Sequence, residues 1–264
     1  MEWATPPDRT QANAIVDVLL RAWEELIRAA PIERALGLLD AVWPERGRGL
    51  WQSLSIGDRD ACLFLLKASL FGDEMQTVAP CPHCGERLES RIAVGDVCAP
   101  LEHWPEPRDP IEFRHATYEV RFRLPCSEDL SALSIAPVPD ASALNRNALP
   151  TDSLLGRCVL SAERNGHALT ADALPFGIRH RIEQAMSEND PIADMHMAMT
   201  CPACGHAWSA ALDIVDYLWG ELDDWAQDLL SEVHTLARAY AWTECDILAM
   251  APVRRRYYLD LLQG

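Results

Sequence analysis

The chain has 264 residues, and 49% of them are hydrophobic, so it can bury a substantial core as one large domain or two small ones. Its formal net charge of −17 repels a polyanion unless the basic residues gather on one face. Because the only dense basic run is the three arginines at residues 254–256, we expect no nucleic-acid partner.

The chain contains nine cysteines, and its opening residues, MEWATPPDRT, form no charged-then-apolar leader. We therefore expect a protein of the reducing cytoplasm rather than a disulfide scaffold, and the odd number of cysteines agrees. The most apolar helical stretch, residues 14–30, carries five charged side chains, so no membrane span is expected.

Apolar residues recur at helical spacing through residues 1–72, which we predict to be an N-terminal helical block. Its predicted helices cover residues 12–30, 32–42 and 59–70. Pro31 is expected to end the first helix, and Asp58 is expected to cap the third. The glycine and proline content of residues 44–49 predicts a loop between the second and third helices.

Residues 100–191 are predicted to be an insertion that contains a β-hairpin and helices. The hairpin strands are predicted at residues 111–115 and 118–124, where apolar and polar residues alternate. The helices are predicted to start at Ser127 and to cover residues 153–164 and 176–187. Residues 135–147 are rich in proline, alanine and asparagine and predict an exposed loop.

The sequence C-P-x-C-G occurs twice, first at Cys81 and Cys84 and again at Cys201 and Cys204. Two cysteines separated by two residues can direct both thiolates to one ion, and the following glycine allows the positive φ that closes the turn. A structural zinc ion takes four ligands, so each pair supplies half of a site. A redox C-x-x-C pair and plain buried cysteines are the alternatives, but a redox motif normally occurs once beside a βαβ pattern, which we do not find. We therefore predict one structural zinc ion held by all four cysteines.

The two motifs are followed by similar sequences, ERLESRIAVGDV and HAWSAALDIVDY. Aligning the motifs places Ile92 with Leu212, Val94 with Ile214 and Asp96 with Asp216. This similarity predicts two hairpin-like arms of one split zinc ribbon, formed by residues 73–99 and 192–213. The expected fold class is α+β, mainly helical, with a split four-cysteine zinc ribbon and a small β-containing insertion.

Histidine and methionine residues near the motifs could also bind a metal ion. His83 and His206 could each replace a cysteine, but with four thiolates present we expect them beside the site or exposed. An alternation of Met195, Met197 and Met199 with His196 could suggest copper. We prefer the interpretation that these methionines belong to a half-buried strand.

Residues 214–264 are predicted to form a long helix and two short ones. Residues 213–240 carry one apolar face at 3-4-3-4-4-3-4 spacing together with seven acidic side chains. A solvated acidic face is the preferred interpretation of these acids, and an acidic docking face is the alternative. Thr243 and Asp246 predict a capping box for the next helix, and Pro252 is expected in the first turn of the last one.

No sequence motif for catalysis is present: the chain has no G-x-S-x-G, no H-E-x-x-H, no phosphate-binding glycine loop and no dinucleotide fingerprint. Four thiolates close the coordination shell of zinc, whereas a catalytic zinc ion keeps a position for water. We therefore expect no enzymatic activity and no small-molecule substrate.

A longer set of motifs carries a resemblance to a known family. Residues 201–259 contain C-P-x-C-G-H-x-W, D-I-x-x-Y-L-W, E-V-H-x-L-A-x-A-Y-x-W and R-R-x-Y-Y-L, residues 71–85 contain F-G-D-x-x-x-x-V-A-P-C-P-x-C-G, and residues 122–125 are F-R-L-P. The set resembles the small zinc-knuckle proteins of contractile tail clusters, which are related to T-even-phage baseplate proteins and occur in extracellular contractile injection systems. The resemblance implies a role in baseplate assembly, either as a hub component or as a chaperone that leaves before completion.

The expected function is therefore that of a non-enzymatic structural or assembly protein of a contractile, phage-tail-like injection system. Its partners would be other baseplate or tail proteins, and it would lie in the cytoplasm or become part of an assembled tail-like particle. The alternative is a zinc-ribbon adaptor in nucleic-acid machinery, for which the neighbouring Arg87 and Arg91 supply too few positive charges.

Overall fold

A computed structural model describes residues 9–98, 103–135 and 154–263 of the chain. By contacts the chain divides into two units, residues 1–45 with 215–264 and residues 46–214. Helices dominate the described residues, and three small antiparallel sheets accompany them, so the fold is α+β as expected. Across those same ranges, no helix combines the length and the apolar character that crossing a membrane requires.

The helices and strands are numbered in chain order. The helices are α1 (Arg9–Leu26), α2 (Pro31–Val42), α3 (Arg48–Ser53), α4 (Ile56–Phe71), α5 (Val94–Val97), α6 (Ser127–Ile135), α7 (Leu154–Cys158), α8 (Phe176–Asn189), α9 (Ile214–Tyr240), α10 (Glu244–Leu248) and α11 (Pro252–Gln263). The strands are β1 (Glu74–Pro80), β2 (Arg87–Ala93), β3 (Ile111–His115), β4 (Tyr118–Phe122), β5 (Val159–Arg164), β6 (His167–Leu169), β7 (His196–Thr200) and β8 (Ala207–Ala211). Almost all of the loop predicted at residues 135–147 lies outside the described residues.

The first unit is built on α9, whose predicted apolar face is correct. The buried side chains of this face are Val215, Leu218, Leu222, Leu229, Val233 and Leu236, whereas Trp225 and Tyr240 are half-buried, and Ala226 is buried beside them. Two polar contacts attach the N-terminal helices to α9: the Trp23 Nε1–H donates to Asp223 Oδ1 at 2.7 Å, and the Arg34 guanidinium lies 4.4 Å from the Trp219 ring centroid. Pro31 begins α2 rather than ending α1, because its fixed φ and missing N–H suit the first position of a helix.

In the second unit, α4 is buried on almost every side. Its N-cap is Ser55, whose hydroxyl accepts a hydrogen bond from the backbone N–H of Asp58, so the prediction that Asp58 is the cap is wrong. The side chain of Asp58 instead lies in the first turn, where a carboxylate suits the helix dipole. The loop predicted at residues 44–49 is only partly correct, since α3 begins at Arg48.

The insertion folds around a four-stranded sheet of order β3-β4-β5-β6. The predicted hairpin is present as β3 and β4. The helix predicted at residues 153–164 is wrong in its second half, which forms β5 and pairs with β4. Asn165 and Gly166, with φ of 51° and 77°, form the two-residue turn to β6, so the Asn-Gly pair closes a hairpin and does not simply end a helix.

A separate hydrophobic cluster supports this sheet against α8. Its buried members are Val120, Phe122, Leu155, Ala162, Leu174, Ile178 and Ile182. The helix predicted from residue 176 is confirmed and supplies the last two of these side chains. The insertion therefore has a core of its own.

Candidate metal centre

Each C-P-x-C-G motif forms the tip of an antiparallel hairpin. Strands β1 and β2 flank the first motif, and β7 and β8 flank the second. The strand predicted for the alternating methionines is present as β7. Strand β2 ends at Ala93, where α5 begins.

The two tips have the same backbone geometry. In the first, the Cys81 N–H donates to the Glu86 carbonyl at 2.7 Å, and the Gly85 N–H donates to the Cys81 carbonyl at 2.9 Å. In the second, the Cys201 N–H donates to the His206 carbonyl at 2.9 Å, and the Gly205 N–H donates to the Cys201 carbonyl at 2.9 Å. The φ angles of Gly85 and Gly205 are 79° and 72°, which explains why glycine follows the second cysteine of each motif.

The two tips bring the four predicted cysteines together. Their sulfur atoms all lie within 4.8 Å of one another. Cys81 Sγ lies 3.7 Å from Cys204 Sγ, and Cys84 Sγ lies 3.6 Å from Cys201 Sγ. Four thiolates at about 2.3 Å from a tetrahedral zinc ion are separated by about 3.8 Å, so the cluster has the size of such a site. A disulfide would require about 2.05 Å, and all four cysteines are free.

Within the cluster, the pKa shifts favour the thiolate form of Cys81 and oppose the thiolate form of Cys84. Burial raises the pKa of Cys81, but the backbone N–H groups of Cys84 and His83 outweigh it and lower the pKa to about 7. At Cys84, the backbone N–H of Glu86 lowers the pKa, but the sulfur of Cys204 and then burial outweigh it and raise the pKa to about 12. Neighbouring thiolates repel one another, and a bound divalent cation relieves this repulsion.

The first hairpin is held at its base by Lys67, which is the only lysine in the sequence and is fully buried. Its Nζ donates to the carbonyl of Gly72 at 2.8 Å and to the carbonyl of Glu74. These carbonyls belong to the end of α4 and the start of β1, so the ammonium group joins the helix to the hairpin. The role of Lys67 was not predicted, and a lone lysine in an apolar helix was the available signal.

The second hairpin is held through Asp190, which precedes β7. Its Oδ2 accepts a hydrogen bond from the backbone N–H of Gly57 in α4 at 3.0 Å. A Cβ on Gly57 would lie 2.0 Å from Asp190 Oδ1, so the close approach requires glycine. Arg108 supports the same region, because it donates to the Asp58 carboxylate at 2.7 Å and to the Asn189 carbonyl at 2.6 Å. Helix α4 therefore supports both hairpins.

His83 and His206 lie at the rim of the cluster and are exposed, as predicted. Their rings stack on each other at a centroid distance of 5.6 Å, and His206 also stacks on Trp208 at 6.2 Å. The three alternating methionines lead into the second motif, where Met199 is buried and Met197 is half-buried. This burial agrees with a packing role.

The fold and the site define a mainly helical protein in which two hairpins present four cysteines that could hold a metal ion. The model of the T4 bacteriophage base plate protein family matches residues 37–218, which is more than half of the chain and includes both hairpins. The chain belongs to this family and is a phage baseplate protein. No curated protein and no solved structure gives a significant match.

Proposed function

We propose that this protein is a structural or assembly component of the baseplate of a contractile, phage-tail-like injection system, and that it acts without catalysis. The observation that carries the proposal is the family match over residues 37–218. The proposed partners are other baseplate or tail proteins, and the proposed location is the cytoplasm or the assembled particle. Binding to nucleic acid is not part of the proposal, because the net charge is −17.

The proposal includes one structural zinc ion bound by Cys81, Cys84, Cys201 and Cys204, with the two hairpins as arms of a split zinc ribbon. The sulfur separations of 3.6 and 3.7 Å support a tetrahedral ion. Four thiolates suit zinc, and they fill its coordination shell, which supports a structural rather than a catalytic ion. The ion would join two segments that are far apart in sequence and so offset the entropy of closing a long loop.

Two measurements test the proposal. Deletion of the gene in a cell that produces tails should leave baseplates incomplete, and expression of the wild-type chain should restore them. Elemental analysis of the purified chain should give one zinc ion per molecule. Normal tail assembly without the chain would contradict the assembly role, and two ions per chain, or none in a fully stable protein, would contradict the shared site.

A further inference from the structure

Helix α11 carries an exposed apolar stripe that the metal centre does not explain. Val253, Tyr257 and Leu261 are 83%, 63% and 56% exposed and are spaced four residues apart, so they share one side of the helix. Single exposed apolar residues are common, but three large ones in a row on one helix mark an interaction surface. This helix lies outside the residues that the family model matches.

The opposite side of α11 is firmly attached to the end of α9. Tyr258 and Leu259 pack against the cluster of Val233, Leu236 and Ile247. Arg255 is buried, with Nε 3.1 Å from Glu232 Oε2 and with Nη1 donating to the Met250 carbonyl at 2.8 Å. These contacts hold α11 in place without using its apolar stripe, so the entropy lost by this helix when a partner binds would be small.

Positive charge flanks the stripe. Arg254 and Arg256 are exposed, and Arg254 forms no ion pair with any residue that the structure describes. Arg256 forms an exposed ion pair with Asp260 on the same helix, at 3.4 Å. In an antiparallel pair of α11 helices, Arg254 of one copy would face Asp260 of the other, so pairing of two copies is an outcome that the experiment must distinguish. The acidic face of α9 is a poor occupant, because its exposed Asp224 and Asp228 are accompanied by polar rather than apolar residues.

We propose that α11 docks into an apolar groove, rimmed by carboxylates, on another protein chain of the baseplate. The stripe supplies anchors at i, i+4 and i+8, as in helix-in-groove recognition, and Tyr257 has the amphipathic side chain that such interfaces favour. Arg254 and Arg256 pair with the carboxylates of the rim and align the helix. This inference rests on the proposed function for the class of partner, but the docking surface is independent of the metal centre.

The test uses the full-length tagged chain, expressed together with the tail subunits of its own gene cluster. Tyr257→Ser, the double variant Val253→Ser/Leu261→Ser and Arg254→Glu should each lower the recovery of one tail subunit at least tenfold. Phe176→Ser is the matched control, because Phe176 is 70% exposed but lies in the other unit, and it should leave recovery unchanged. A photoreactive residue at position 257 should cross-link to that same subunit, at apolar residues with neighbouring aspartate or glutamate.

The outcomes separate the two proposals. If the wild-type chain recovers tail subunits and the stripe variants recover them equally well, the docking inference is overturned and the proposed function stands. Recovery of no tail subunit by the wild-type chain overturns both. A cross-link from position 257 to a second copy of the chain, or sedimentation of the purified chain as a dimer that Tyr257→Ser abolishes, also overturns the docking inference.

Discussion

Val94 and Ile214 occupy equivalent positions in two copies of one local structure. Each is buried, each follows the second strand of a cysteine-bearing hairpin, and each begins a helix. The sequence offset between them, 214 − 94 = 120, is also the offset between Cys81 and Cys201. The first helix, α5, ends after one turn, whereas α9 continues for 27 residues.

This relationship makes the cluster of four cysteines approximately two-fold symmetric. Exchanging the two hairpins converts the Cys81–Cys204 contact of 3.7 Å into the Cys201–Cys84 contact of 3.6 Å. Such symmetry explains how one short motif, present twice, brings four thiol groups together.

Equivalent cysteines should therefore contribute equally to zinc binding and to the free energy of unfolding. We expect Cys84→Ser and Cys204→Ser to lose the bound zinc ion to a similar extent and to lower the free energy of unfolding by at least about 3 kcal/mol each, a part of the ~10–16 kcal/mol that structural zinc supplies to small domains. Elemental analysis and thermal unfolding with and without a chelator measure both effects. Cys245→Ser is the control, since Cys245 is exposed and outside the cluster. A chelator that leaves the wild-type melting temperature unchanged would contradict this prediction.

Lys67 should resist chemical modification in the folded chain. Its side chain is fully buried, so an amine-reactive reagent should label Lys67 only after denaturation. Lys67→Met should lower the free energy of unfolding by about 1–3 kcal/mol, because the carbonyls of Gly72 and Glu74 lose a buried donor. Arg91→Met is the control, since the exposed pair of Arg91 and Glu74 should contribute less than about 1 kcal/mol. Rapid labelling of Lys67 in the native protein would show that the prediction is wrong.

Asp129 should stabilise the fold in a pH-dependent way. Burial raises the pKa of Asp129, but the Arg123 guanidinium, whose Nη1 and Nη2 lie 2.6 and 2.7 Å from its oxygens, outweighs burial and lowers the pKa to about 2. Because the folded pKa is below that of an unfolded aspartate, the contribution of Asp129 to the free energy of unfolding is complete above about pH 4. It is lost as the pH falls toward 2. The difference in free energy of unfolding between the wild type and Asp129→Asn should thus be large at pH 5–7 and shrink below pH 4.

Chemical denaturation across this pH range measures that difference. Release of metal from protonated thiols affects both proteins alike and cancels in the comparison. Asp172→Asn is a suitable control, because Asp172 lies in a short surface turn and its lowered pKa comes from the hydroxyl of Thr170 rather than from a buried ion pair. A difference for Asp129→Asn that stays constant from pH 7 to pH 2 would argue against the ion pair.

Gly57 should tolerate no side chain. Gly57→Ala places a Cβ 2.0 Å from Asp190 Oδ1 and 3.0 Å from the backbone nitrogen of Ala193, so it must displace the segment that leads into β7. We expect a loss of about 1–3 kcal/mol or more, measured by denaturant unfolding. Gly220→Ala is the matched control: this helical glycine has open space around its Cβ position, and the substitution should stabilise the chain by about 0.4–1 kcal/mol. Equal effects of the two substitutions would contradict the close packing between α4 and Asp190.

Local sequence signals were sufficient where the decisive residues are neighbours in the chain. The 3-4 spacing of apolar residues predicted α9, and Thr243 with Asp246 predicted a capping box that is present. Where a strand depends on a distant partner, local signals failed. Residues 159–164 were predicted to continue a helix, but they form β5 because β4 offers them an edge to pair with.

The sequence by itself determined which four cysteines come together, because a motif of five residues fixes both the direction of two thiol groups and the turn that follows them. Only the tertiary structure decided how the two halves meet. Lys67 and Gly57 lie on one helix and hold the bases of two hairpins that are more than a hundred residues apart. No local sequence pattern predicts these contacts. The exposed stripe of α11 was likewise decided by packing, since which side of an amphipathic helix faces the core depends on the helix against which it lies.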